Sequence, residues 1–101
     1  MTPLDQLRSE SSTIARICAR YHVAELSVFG STARGSAGPE SDIDLIVTFK
    51  PDAAIGLIAF NRFRRELEDG LGRRVDLVPK DGLKPLIRED VLSEAQILYA
   101  A

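Results

Sequence analysis

The 101-residue chain has a single cysteine, a single histidine and no tryptophan. A lone Cys18 excludes an intrachain disulfide framework and any zinc site built from several cysteines, and it fits a reducing compartment. No apolar run approaches the ~20 residues of a membrane-spanning helix, and residues 1–20 lack the apolar core of a signal peptide, so the expected location is cytoplasmic. Charge of one sign is missing too, with 13 basic against 15 acidic residues and a net charge of −2. No overall field therefore draws the chain to nucleic acid or to a membrane surface, neither is expected as a partner, and any polyanion must be held locally. The length excludes a TIM barrel, which typically needs ~250 residues. With 45% hydrophobic and 28% charged residues, the composition is that of a globular domain. One domain over residues 1–101 is expected.

Helical and strand periods alternate along the chain. Thr2 as N-cap, Pro3 in the first turn and Asp5 near the positive end of the dipole open a helix. Leu4, Leu7, Ser11, Ile14, Cys18 and Tyr21 follow at spacings of three and four, one mostly apolar stripe that places Cys18 in the core. The period then changes. Val23 to Phe29 reads as a strand with Leu26 and Val28 on one face, and Gly30 to Gly38 as a Gly- and Ser-rich loop. A second strand spans Asp42 to Phe49, with Ile43, Leu45 and Val47 opposite Asp42, Asp44 and Ile46. Leu57, Phe60, Phe63, Leu67 and Leu71 mark a helix that stops at Gly70 or Gly72. Arg74 to Val78 predicts a short strand, closed by the turn residues Pro79 to Gly82. A helix from Leu83 or Pro85 to Glu94 is expected to bury Leu86, Ile87 and Val91, and Ala95 to Tyr99 forms a last short strand. The fold class is α/β (α+β).

The first anomaly is Asp42-Ile43-Asp44. Asp is depleted in strands, yet two stand at i and i+2 in an apolar run and project from one face. Their Cα atoms lie about 6.6 Å apart, close enough for the carboxylates to converge on a cation or a cation pair. With nothing between them, the repulsion is roughly 3 kcal/mol at an effective dielectric of ~20 and a distance of ~6 Å. Asp76 is a third carboxylate inside an apolar run, turned away from Val75 and Leu77. If its strand lies beside that of Asp42, three carboxylates converge, an oxygen donor set suited to a hard cation such as Mg²⁺.

Gly30-Ser31 follows the first strand, where backbone N–H groups and a hydroxyl can be aimed at phosphate oxygens, the more so if a helical turn starts there. Two familiar phosphate loops are excluded. Gly30 to Gly35 fits G-x-x-x-x-G, but Ser36 stands where a P-loop needs lysine, and no G-x-G-x-x-G is present.

A Gly-Ser turn, ten intervening residues, Asp-x-Asp and a third Asp on a later strand resemble the nucleotidyltransferase superfamily that includes DNA polymerase β. The stretch Phe29 to Ile46, FGSTARGSAGPESDIDLI, is similar to its minimal nucleotidyltransferase (MNT) branch. The resemblance implies a small mixed sheet flanked by helices, and Mg²⁺-dependent transfer of a nucleoside monophosphate from a triphosphate to a hydroxyl. Carried over, Gly30 and Ser31 hold the triphosphate, Asp42 and Asp44 bind two Mg²⁺ ions, and Asp76 completes the ion that activates the acceptor hydroxyl.

Arg34 is placed within reach of a phosphate, its structural alternative being an ion pair with Glu40 or Asp42. Arg62, Arg64, Arg65, Arg73 and Arg74 are read as a solvated face, and His22 as a junction residue. In the minimal branch a partner makes up for a missing acceptor domain, commonly a helical HEPN toxin that the transferase adenylylates with ATP and so neutralises. The alternatives are a catalytically idle antitoxin that acts by occlusion, and a transferase for a small molecule.

Overall fold

The computed structural model describes residues 2–101. Its elements run α1 (Pro3–Ser9), α2 (Ser11–Arg20), β1 (Val23–Phe29), α3 (Gly30–Arg34), β2 (Ile43–Phe49), α4 (Leu57–Leu71), β3 (Val75–Pro79), a 3₁₀ turn (Lys80–Gly82), α5 (Pro85–Glu94) and β4 (Gln96–Ala100). Four strands form one mixed sheet in the order β3-β2-β1-β4. β1 is antiparallel to β2 and β4, whereas β2 and β3 are parallel. Parallel neighbours need a long crossover, and α4 supplies it.

The first helix starts as the sequence predicts. Thr2 Oγ1 accepts from the Asp5 N–H at 3.2 Å, and Asp5 Oδ2 accepts from the Thr2 N–H at 3.1 Å, a reciprocal capping box. These bonds hold the Asp5 carboxyl below its ordinary pKa. The expected single helix divides at Glu10. The segment Ser9 to Thr13 is rich in hydroxyl residues that compete for backbone groups, and Ser9 Oγ indeed donates to Gln6 O at 2.7 Å. The stripe survives the break at Leu7, Ile14 and Cys18, joined by Ile17, while Ser11 is exposed. Burial pushes the Cys18 thiol up to about 12.

One sheet face receives the helices. Ile43, Leu45 and Val47 of β2, Val75 and Leu77 of β3, and Leu26 and Val28 of β1 pack with Ile14, Phe63 and Leu67 in a single core. Val23 joins them although strict alternation would turn it away, because the register slips between Val23 and Glu25. α2 is tied to α4 through Arg20 and Tyr21, both bonded to Glu66. α4 ends at Gly72, whose φ of +64° is the left-handed cap that glycine adopts without strain.

Three expectations fail at the periphery. Leu57 opens α4 but is 77% exposed, its turn lying before the stripe of Phe63, Leu67 and Leu71 meets the core. α5 has no buried residue, with Leu86 96% exposed, Ile87 exposed and Val91 only half-buried. The reason is how α5 is fastened. Leu83, just ahead of it, is the buried anchor, and polar bonds do the rest, with Arg88 Nη1 donating to Lys80 O at 2.9 Å. Strand ends also shift by a residue: β2 starts at Ile43 rather than Asp42, β3 covers Val75–Pro79, and β4 covers Gln96–Ala100.

Candidate active site

The end of β1 and the starts of β2 and β3 meet at one edge of the sheet, on the face turned from the core. Register pairs Phe29 with Asp44, and Asp44 with Asp76. Adjacent strands lie about 4.8 Å apart, so the two aspartates are direct neighbours with side chains on the same face. Asp42 stands one residue before β2 and is exposed, as is Asp76, while Asp44 is half-buried. Burial first, then the charges of Asp76 and Asp42, raise the Asp44 pKa above its ordinary value, with Arg34 acting in the opposite direction. Asp44 and Asp76 are therefore neighbours, and Asp42 lies near enough for its charge to bear on Asp44.

Gly30 closes the site from the other side. Its φ is +69°, and a Cβ there would stand 2.5 Å from Asp44 Oδ2. Backbone conformation and close approach both require glycine at this position. The expected plain loop after Phe29 is in part the short helix α3, which carries Ser31 and Arg34, and its chain reverses as Ser31 O accepts from the N–H groups of Ser36 at 2.9 Å and Ala37 at 3.2 Å. Arg34 pairs with neither Glu40 nor Asp42. Its Nη1 donates to Glu94 Oε1 at 3.0 Å and lies 3.1 Å from Oε2.

Two residues of the site escaped the sequence reading. Arg73, grouped there with a solvated face, donates from Nη2 to Ser41 O at 2.6 Å and to Gly38 O at 3.2 Å, tying down the loop that delivers Asp42. A small recess of about 160 Å³ beside it is lined by Ser41, Asp42, Arg73 and Arg74. Glu94, at the end of α5, accepts from the Gly30 N–H at 3.2 Å as well as from Arg34. No sequence signal marks either residue, because each acts on a segment distant in the chain. The other arginines of the group bear out a surface reading, with Arg62 and Arg65 exposed and Arg64 paired to Glu68 at 2.7 Å.

Among the described residues, no three His, Cys, Asp or Glu side chains are grouped so that they could hold a metal ion by themselves. The donor set nevertheless suits Mg²⁺, which takes one or two carboxylates and completes its octahedron with water and substrate phosphates. Asp44, held partly out of water beside two like charges, is a group that such a cation would relieve.

Residues 11–98 match the nucleotidyltransferase domain family. The protein adenylyltransferase MntA of Thermococcus cleftensis is 44% identical over 75 residues, 74% of each chain. A solved minimal nucleotidyltransferase superposes with a TM-score of 0.79 at 42% identity, over 95% of both chains. A toxin–antitoxin complex solved with AMP-PNP shares the fold, with a TM-score of 0.71 at 23% identity over 90% of this chain and 73% of that one. Two aspartates in register, a left-handed glycine pressed against one of them, and likeness along nearly the whole chain lead to one assignment: this chain belongs to the nucleotidyltransferase domain family, in its minimal branch.

Proposed function

We propose that this chain transfers AMP from ATP to a hydroxyl of a partner protein, and that it serves in the cytoplasm as the antitoxin that neutralises a HEPN toxin. The observation that carries the reading is the pairing of Asp44 with Asp76 beneath Gly30. The adenylyltransferase name of the Thermococcus relative and the toxin–antitoxin neighbour with its nucleotide analogue support the acceptor and partner.

In this reading Gly30, Ser31 and Arg34 hold the triphosphate, and Asp42 and Asp44 carry the Mg²⁺ ions, with Asp76 completing one of them. Bound Mg²⁺ would neutralise phosphate charge and lower the pKa of the acceptor hydroxyl. Asp76 takes the proton of that hydroxyl as its oxygen bonds to the α-phosphorus. The bond from the α-phosphorus to the bridging oxygen breaks, and pyrophosphate leaves with the electron pair. The site is an open shelf, so the acceptor protein must supply its own alignment, a contribution of several kcal/mol to the barrier.

Co-expression with a HEPN toxin, followed by intact-mass measurement of both proteins, tests the proposal. The toxin should gain AMP mass with the wild-type chain and none with a folded double variant carrying Asp42→Ala and Asp44→Ala. Full protection of cells by that double variant would overturn the enzymatic reading in favour of occlusion.

A further inference from the structure

The end of α5 places a carboxylate on the donors that the proposed function gives to phosphate. Glu94 Oε1 accepts from the Gly30 N–H at 3.2 Å and from Arg34 Nη1 at 3.0 Å, and Oε2 lies 3.1 Å from the same nitrogen. A carboxylate and a phosphoryl group make the same demand on such donors, each offering anionic oxygens to a backbone N–H and a guanidinium. Both cannot hold them at once.

The same stretch of chain anchors α3 independently of Glu94. Gln96 Nε2 donates to Ala33 O at 3.0 Å, and Arg8 Nη2 fixes Gln96 Oε1 at 2.7 Å. Release of Glu94 therefore leaves α3 attached. The element that carries Glu94 also lacks a packed face, since α5 buries no side chain and its anchor Leu83 lies ahead of it, at the end far from Glu94, and such segments shift at low free-energy cost.

We propose that Glu94 is a resting-state latch, its carboxylate occupying the Gly30 N–H and Arg34 until the triphosphate of the nucleotide displaces it. The inference rests on the assignment of Gly30 and Arg34 to triphosphate binding. Its consequence is a weakened affinity: apparent Kd equals the intrinsic value divided by the fraction of molecules with the latch open, so a latch closed ~90% of the time weakens binding about tenfold. Glu94 is thus a residue whose removal improves nucleotide binding.

Isothermal titration of the full chain with ATP plus Mg²⁺, and with inorganic tripolyphosphate plus Mg²⁺, tests this on wild type, Glu94→Ala, Glu94→Gln and Glu89→Gln. Glu94→Ala should bind both probes about tenfold more tightly. Glu94→Gln should show a smaller gain, because a neutral amide still accepts from Gly30. Glu89→Gln removes a charge from an exposed position of the same helix and should change nothing. Wild-type or weaker affinity in both Glu94 variants would overturn the latch and leave the nucleotide site standing. An equal gain in Glu89→Gln would overturn it as a general charge effect. Absence of binding in every protein would overturn both the latch and the site reading, whereas binding by the Glu94 variants alone supports both. Should Glu94→Ala fail to fold, Glu94→Gln decides the matter by the same criteria.

Discussion

Asp44 and Asp76 are register partners on the parallel strands β2 and β3, two carboxylates side by side on a sheet face. Nothing in the packing of the core calls for them, since the alternate residues Ile43, Leu45, Val75 and Leu77 supply its apolar surface. The pairing of two like charges opposes folding, and the metal-binding role proposed for it would account for its presence.

The raised pKa of Asp44 sets the direction of a pH effect. A carboxyl whose folded pKa lies above its unfolded value binds more protons in the native state, so stability falls as pH rises from the unfolded pKa through the folded one. Without metal, the chain should lose melting temperature over that acidic window. Asp44→Asn should flatten the loss and melt as high as wild type or higher at neutral pH. Thermal scans across pH with a chelator check this, and added Mg²⁺ and ATP should raise the wild-type midpoint but not that of Asp44→Asn.

Ser31 and Asp76 should separate by assay. Ser31→Ala removes the hydroxyl proposed to contact phosphate and is expected to weaken nucleotide affinity by about tenfold, the equivalent of roughly 1.4 kcal/mol. Asp76→Asn should retain nucleotide binding and lose transfer by a factor of 10² or more, on the order of what one positioned base contributes. Calorimetry alongside a radiolabelled-ATP transfer assay distinguishes them. Wild-type transfer in Asp76→Asn would make the third carboxylate structural.

Gly30→Ala should be among the most damaging single-methyl changes in the chain. The added Cβ would stand 2.5 Å from Asp44 Oδ2 on a backbone at φ +69°, and left-handed strain alone costs about 1–3 kcal/mol. Urea unfolding should show a stability loss of about that size. Relief in a Gly30→Ala, Asp44→Ala double variant would locate the clash.

Arg73→Ala should free the loop that ends at Asp42. Its two bonds to Ser41 O and Gly38 O are half-exposed and worth about 1–2 kcal/mol together. Mg²⁺-dependent nucleotide binding should weaken although Arg73 has no assigned contact with the ion. Arg73→Lys should restore part of the loss, because both bonds leave one nitrogen, Nη2, and an ammonium also offers more than one donor. Titration calorimetry with and without Mg²⁺ reads the effect.

What the sequence determined by itself was local. The N-cap of Thr2, the limits of β1, a helix stop at Gly70 or Gly72 and the common face of Ile43, Leu45 and Val47 follow from capping chemistry and from the periods of helix and strand, which involve residues only a few positions apart. The site residues were legible for the same reason: Gly30-Ser31 and Asp42-x-Asp44 are short patterns of unusual chemistry in apolar surroundings. Only the tertiary structure decided that Asp76 stands beside Asp44, that Arg73 holds the loop before Asp42, and that Glu94 reaches Gly30 across 64 residues. It also left Leu86 of α5 in solvent, against its helical spacing. Strand adjacency and register are fixed when the faces of β1, β2 and β3 bury their apolar residues beneath α2 and α4, and that choice depends on the packing of the whole core rather than on any one segment.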